Sequence, residues 1–97
     1  MVQSKEDILK LLSSYKAELM AQFKVYDIAL FGSWARGDQR PDSDVDILVE
    51  VDPSIGLGFV ALAEKLEELL GMKVDLVSRR AVKQRNLEYI RQELIHV

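Results

Sequence analysis

The 97-residue sequence contains no cysteine, which excludes disulfide bonds and thiolate metal sites. No apolar run approaches the ~20 residues that a membrane-spanning helix requires. The opening residues, MVQSKEDILK, are charged and lack the apolar segment of a secretory signal. Together, these absences predict a cytoplasmic protein without a membrane segment.

An excess of positive charge is also missing. The formal net charge is −3 at pH 7, whereas general nucleic-acid binders usually carry a basic surface. We therefore expect no stable nucleic-acid binding, and we interpret the one basic cluster as the solvated start of a helix: Arg79, Arg80, Lys83 and Arg85. The length and the ordinary apolar fraction of 48% predict one folded domain over residues 1–97.

Hydrophobic periodicity predicts helices that alternate with short strands. The predicted elements are helix 4–23, strand 25–31, strand 44–51, helix 57–70, strand 72–77 and helix 78–94. Ser33 can start a short helical turn after the first strand, and Ser78 can cap the closing helix. The tail ELIHV can add a few extended residues. This order predicts an α/β (α+β) fold with one small sheet covered by helices.

Two aspartates interrupt the second predicted strand, SDVDILVEV. Side chains in a strand alternate between faces, so Asp44 and Asp46 share a face, while the intervening valine and isoleucine residues seal a core. Asp75 interrupts the apolar strand KVDLV in the same way. If these two strands are neighbours, the three carboxylates converge. Such hard oxygen ligands suit Mg²⁺, which binds a few carboxylates together with substrate phosphates.

A Gly-Ser pair stands at the end of the first predicted strand. Gly32 allows a tight turn and close approach of a ligand, and Ser33 offers a hydroxyl and a backbone N–H group. Arg36 and Arg40 can add charge-assisted contacts. The combination favours a cradle for phosphate groups. Trp34, inside this segment, is expected to pack or to lie at a partner surface.

A second glycine pattern, GLGFVA at residues 56–61, fits the G-x-G-x-x-A of dinucleotide-binding folds. The residues DPSI separate it from the preceding strand, so the tight strand-to-glycine turn is missing. Asp75 also lies inside its strand rather than at the strand's end. We therefore interpret Gly56 and Gly58 as parts of a loop before a helix.

The segment GSWARGDQRPDSDVDILV resembles the G-S-x-A-R-G…S-D-x-D signature of the polymerase-β-like nucleotidyltransferases. Within these it is similar to the minimal nucleotidyltransferases, the antitoxin half of HEPN–MNT toxin–antitoxin pairs. The resemblance covers nearly the whole chain, and all the motif positions are present: Gly32, Ser33, Arg36, Gly37, Ser43, Asp44, Asp46 and Asp75.

The resemblance implies a small mixed sheet flanked by helices and a nucleotidyltransferase that uses ATP. It implies that Asp44 and Asp46 bind two Mg²⁺ ions and that Asp75 joins one of them. Gly32 and Ser33 would hold the β and γ phosphates, with Arg36 and Ser43 as further nucleotide contacts. Asp75 would help to deprotonate the acceptor hydroxyl.

The acceptor is expected to be a protein, because the chain has no extra domain to grip one. In the family, AMP passes to a tyrosine of a HEPN RNase toxin, so a hetero-oligomer with such a toxin is expected. Two alternatives stay open at this point. The chain can neutralise the toxin by binding alone, with an idle site, or it can modify a small molecule.

Overall fold

The computed structural model describes residues 2–97 and contains, in that range, helices and strands in the order α1, β1, α2, β2, α3, β3, α4, β4. Their bounds are α1 Lys5–Phe23, β1 Val25–Phe31, α2 Gly32–Arg36, β2 Val45–Val51, α3 Gly58–Leu70, β3 Val74–Ser78, α4 Gln84–Arg91 and β4 Ile95–His96. Short 3₁₀ turns follow β2 and β3, at Pro53–Ile55 and Arg79–Ala81.

The four strands form one sheet in the order β3-β2-β1-β4. Strand β1 is antiparallel to β2 and β4, whereas β2 and β3 are parallel. The predicted small mixed sheet flanked by helices is therefore confirmed. Within residues 2–97, no helix combines the length and the apolar character needed to cross a membrane.

The core lies between one face of the sheet and the helices α1 and α3. Alternation along β1 and β2 directs their largest apolar side chains to this face, where helical residues at three- and four-residue spacing meet them. The fully buried side chains are Ile8, Leu12, Leu19, Ile28, Leu30, Val45, Ile47, Val49, Leu62 and Leu66. Burying about ten such side chains supplies the main stabilisation of a chain of this size.

The opposite face of the sheet has a lighter cover. Its β2 residues are Asp46, Leu48 and Glu50, and only the last two lie beneath the α4 region, where Leu87 packs. A cavity of about 200 Å³ separates α4 from this part of the sheet. The end of the sheet that carries Asp46 is therefore left open.

The prediction of one long closing helix from Ser78 to Leu94 was wrong. Ser78 ends β3 as the partner of Val49, and its side chain makes no cap hydrogen bond. Lys83 is extended, so the helix begins only at Gln84 and ends at Arg91. Pairing with the sheet overrides the capping preference of Ser78. The tail instead forms strand β4, which confirms the expectation of a few extended residues there.

The start of α1 is fixed by a side-chain cap at Ser4. Ser4 Oγ accepts a hydrogen bond from the Asp7 N–H at 3.2 Å, while the Asp7 carboxylate accepts one from the Gln3 N–H at 2.9 Å. One residue later, Lys5 Nζ donates to the Ala35 carbonyl of α2 at 3.4 Å. The cap therefore also places a residue that contacts the short helix beside the open face.

We expect Ser4→Ala to lower the free energy of unfolding by about 1 kcal/mol, because the Asp7 N–H loses its acceptor. Ser13→Ala is the matched control, since Ser13 is exposed in the interior of the same helix and alanine favours helices there. Urea unfolding of both variants measures the difference. Equal stability of the two variants would contradict the assigned cap.

Candidate active site

Three carboxylates lie at the open end of the sheet. Asp46 and Asp75 are register partners on the neighbouring parallel strands β2 and β3, so their side chains leave the same face of the sheet. Asp44 precedes β2 by one residue and influences the charge of Asp46. The predicted neighbourhood of Asp75 with Asp46 is confirmed, whereas the chemical roles of the three residues stay predictions.

The Asp46 carboxyl is in an unfavourable place for a charge. Partial burial raises its pKa to about 6 from an ordinary value of 3.8, and the Asp75 carboxyl adds to the rise by its charge and by a hydrogen bond. The Asp44 charge raises it further, while Arg36 opposes the shift. Burial and neighbouring negative charge both make the ionised Asp46 carboxylate costly when no cation compensates it. A cation bound next to Asp46 and Asp75 would therefore stabilise the ionised pair.

Gly32 has no room for a side chain because the Asp46 carboxyl occupies that space. A Cβ added to Gly32 would lie 2.0 Å from Asp46 Oδ2, and the residue has a positive φ of 77°. The register explains this contact, since Phe31 pairs with Asp46 and Gly32 comes next. The glycine of the Gly-Ser pair therefore brings the backbone of the turn directly against the central carboxylate.

Helix α2 starts at Gly32, one residue before the predicted start, and ends at Arg36. The Arg36 guanidinium forms two ion pairs, from Nε to Asp38 at 3.1 Å and from Nη1 to Glu93 at 2.9 Å. Hydrogen bonds to Glu93 and then Asp38 raise the pKa of Arg36, so it stays charged. A permanent cation thus lies next to the carboxylate cluster, and it also lowers the pKa of Asp46.

The loop before β2 is held by Trp34 and Ser43. Trp34 is buried, and its Nε1–H donates to the Ser43 carbonyl at 3.3 Å. Ser43 Oγ accepts from the Arg40 N–H at 2.8 Å. Trp34 therefore packs inside the protein, which was one of the two predicted placements. Its hydrogen bond fixes Ser43, the residue before Asp44. Ser43 supports the loop, and its contact with a nucleotide stays a prediction.

The predicted three-carboxylate metal site is not formed as such. Among residues 2–97, no three histidine, cysteine, aspartate or glutamate side chains are arranged so that they could hold one ion. The oxygen donors are nevertheless of the kind that Mg²⁺ prefers. The part of the predicted set that the structure brings together is the pair of register partners, Asp46 and Asp75.

Sequence reasoning missed Glu93 entirely. Its carboxylate accepts from the Gly32 N–H at 3.1 Å as well as from Arg36, although 61 residues separate it from Gly32 along the chain. The error about the closing helix hid this contact, because a helix through Leu94 would have carried Glu93 away from the turn. The contact could have been predicted only if β4 had first been identified as a strand antiparallel to β1, since that pairing brings Glu93 close to Gly32.

We expect Gly32→Ala to displace the Asp46 carboxyl, whereas Gly37→Ala will not. Both glycines have positive φ, so each substitution costs about 1–2 kcal/mol of stability through backbone strain. Only at Gly32 does the new Cβ meet another residue, since nothing lies within 4 Å of the same position at Gly37. Urea unfolding and the NMR titration of the Asp46 carboxyl separate the two effects. An unchanged Asp46 titration in Gly32→Ala would contradict the close approach.

We also expect Asp46→Asn to stabilise the metal-free protein at pH 7.5. The raised pKa of about 6 means that the folded state holds the Asp46 proton more tightly than the unfolded chain. This contribution to stability is present below about pH 4 and is lost as the pH rises through about 6. Because solvent screens a half-buried group, the gain from asparagine is about 1 kcal/mol, well below the full shift.

The gain should shrink to almost nothing near pH 3, where Asp46 is mostly protonated in both states. Unfolding curves in urea at several pH values, with EDTA present, measure it. Glu50→Gln, on the same face of β2, is the control variant. A gain from Asp46→Asn that stays the same at both ends of the pH range would show that charge is not its cause.

Comparison with known proteins agrees with this arrangement. A model of the nucleotidyltransferase domain matches residues 12–97. The protein adenylyltransferase MntA of Thermococcus cleftensis is 43% identical over 94 residues, which are 95% of this chain and 94% of the relative. The matched region includes the Gly-Ser turn and all three carboxylates.

Two solved structures extend the comparison. One, described as a proposed minimal nucleotidyltransferase, superposes with a TM-score of 0.81 at 35% identity over 96% of this chain and 95% of its own. Another holds the tri-AMPylated HEPN toxin of Shewanella oneidensis in complex with an MNT antitoxin. It matches with a TM-score of 0.59 at 27% identity over 95% of this chain and 66% of its own. The chain therefore belongs to the nucleotidyltransferase domain family and is a minimal nucleotidyltransferase related to the protein adenylyltransferase MntA.

Proposed function

We propose that this chain is a Mg²⁺-dependent protein adenylyltransferase that moves AMP from ATP onto a tyrosine hydroxyl of a HEPN-type toxin and so acts as its antitoxin. The observation that carries the proposal is the pairing of Asp46 with Asp75 beside the Gly32 turn. This places acidic groups, a tight glycine turn and the Arg36 cation at one open end of the sheet.

The reaction requires an acceptor oxygen to bond to the α-phosphorus while the bond to the pyrophosphate oxygen breaks. Asp75 is exposed and would accept the proton of the attacking hydroxyl. Ser33 and Arg36 would bind the phosphates that leave as pyrophosphate, whose negative charge increases in the transition state. Gly32 would contribute by the close approach that it allows.

Asp44, Asp46 and Asp75 are the residues that would hold Mg²⁺. Bound there, the ions would supply Lewis-acid stabilisation of the attacking and leaving oxygens. The fit rests on the oxygen donors of the three side chains and on the raised pKa of Asp46, which is caused by its partial burial and by the nearby charges of Asp75 and Asp44. Ion binding would lower that pKa by compensating the charge.

The choice of AMP and of a toxin follows from the relatives. The 43% identical protein is named a protein adenylyltransferase, and one solved relative is in complex with an AMPylated HEPN toxin. Both relatives support the same reaction class for this chain. ATP and Mg²⁺ are available in the cytoplasm, where we expect the pair to act.

The test is to incubate the purified chain with the protein encoded by the adjacent gene, ATP and Mg²⁺, and to measure the partner's intact mass. We expect AMP adducts on a tyrosine, with no transfer when EDTA is present. Association of the two proteins without any adduct would reject the proposal. Protection of cells from the toxin by a chain that transfers nothing would instead identify an antitoxin that acts by binding alone.

We expect Asp46→Asn and Asp75→Asn each to lower the transfer rate more than about 100-fold, since even groups that only support metal ligands contribute about 10- to 100-fold. Glu50→Gln is the matched control, because Glu50 lies on the same face of β2 but pairs with Arg79. Rates are measured on the complex with ATP and Mg²⁺. Because Asp46→Asn should also be the more stable protein, lost activity would not reflect unfolding.

A further inference from the structure

Glu93 lies near the end of the chain and contacts two parts of the site, the Gly32 turn and the Arg36 side chain. Its Oε1 accepts from the Gly32 N–H at 3.1 Å, and its Oε2 accepts from Arg36 Nη1 at 2.9 Å. The Glu93 side chain is 19% exposed, compared with 62% for Asp38, the other acid on Arg36. The better buried contact is the one that holds Arg36 more firmly, since solvent weakens exposed pairs.

The sheet fixes the position of Glu93. Strand β4 pairs Ile95 with Leu30 and His96 with Ala29, so Glu93 lies two residues before a paired position just as Gly32 lies two residues after one. The Val97 N–H donates to the Ile28 carbonyl at 3.0 Å, and Lys16 Nζ donates to the Val97 carbonyl. On its other side, the Glu93 N–H donates to the Ile90 carbonyl at 2.9 Å.

The contacts leave Arg36 able to bind a further anion. A guanidinium has five N–H donors, and the pairs with Asp38 and Glu93 use two, which leaves three. The planar fork cannot turn while Glu93 holds one of its nitrogens. At the same time, the Glu93 carboxylate satisfies the buried N–H group of Gly32, whose turn lies against Asp46.

We propose that Glu93 is a positioning residue of the transfer site: its carboxylate fixes the Arg36 guanidinium and the Gly32 turn in the orientation that receives the phosphates of the nucleotide. The C-terminal strand β4 is the element that supports it. This inference rests on the proposed function for its kinetic consequences, whereas the state of the Arg36 side chain can be measured without any transfer.

Glu93→Gln is the informative variant. A glutamine has a single side-chain oxygen, so it can accept from Gly32 or from Arg36 but not from both, and it loses the charge. We expect kcat for AMP transfer to fall about 10- to 100-fold, the scale of a misplaced contact. The KM for ATP should change by less than about threefold, since the lost contribution is one of orientation. Glu88→Gln, an exposed glutamate of α4, is the matched control.

A double variant tests whether Glu93 acts through Arg36. We expect Glu93→Gln to slow the Arg36→Ala protein by less than it slows the wild type, because only its effect through the Gly32 turn then remains. Additive losses would overturn the proposal. A lower KM for ATP in Glu93→Gln would also overturn it, since Glu93 would then compete with the nucleotide. If Glu93→Gln has a lower Tm but an unchanged kcat per folded molecule, Glu93 has only a structural role and the proposal is overturned.

A measurement on the ligand-free chain keeps this result separate from the proposed function. We expect the Arg36 Nη1–H signal in ¹⁵N NMR, which reports the nitrogen that donates to Glu93, to be protected from solvent exchange in the wild type and in Glu88→Gln, but not in Glu93→Gln. Sodium triphosphate should shift this signal at lower concentration in the wild type than in Glu93→Gln. If the wild type transfers no AMP, these two results still decide the role of Glu93, and equal protection in all three proteins overturns it.

Discussion

The pairing of β2 with its two neighbours is the constraint on which the rest of the site depends. On one side, the parallel register sets Asp46 against Asp75. On the other side, the antiparallel register sets Asp46 against Phe31, so the turn at Gly32 meets the carboxyl group. A slip of one residue would send these side chains to the other face. The buried valines of β2 and Ile47 prevent such a slip, and the core therefore determines the geometry of the polar site.

Much of this could be predicted because the relevant signals are local. The alternation of acids and apolar residues in β2 and β3 indicated a shared face, and the Gly-Ser pair at the end of β1 indicated the turn. The contacts across long distances in the chain could not be predicted in the same way. Glu93 reaches Gly32 only because β4 pairs with β1, and a two-residue strand has almost no periodicity to recognise. The hydrogen bond from Trp34 to the Ser43 carbonyl could not be predicted either, because it depends on the conformation of the loop between them.

The electrostatics of the site follow from that geometry. The Asp46 carboxyl is partly buried and has two other acids near it, so its charged form is unfavourable and its pKa rises. Arg36 supplies one positive charge nearby, but Glu93 and Asp38 already share it. An added positive charge would therefore stabilise the ionised cluster, whereas without a cation its charge lowers the stability of the fold above about pH 6. Such a site is less stable than an apolar replacement would be, which is the usual cost of binding chemistry in a small fold.

Strand β3 lies at one edge of the sheet, and this has a consequence for solubility. Its apolar residues are Val74, Leu76 and Val77. An apolar strand at the edge of a sheet can pair with strands of other molecules and cause aggregation. The charge of Asp75 in the middle of this exposed border discourages that recruitment. If Asp75 also accepts the proton in the proposed reaction, Asp75→Asn would remove both the proton acceptor and the charge that opposes self-association.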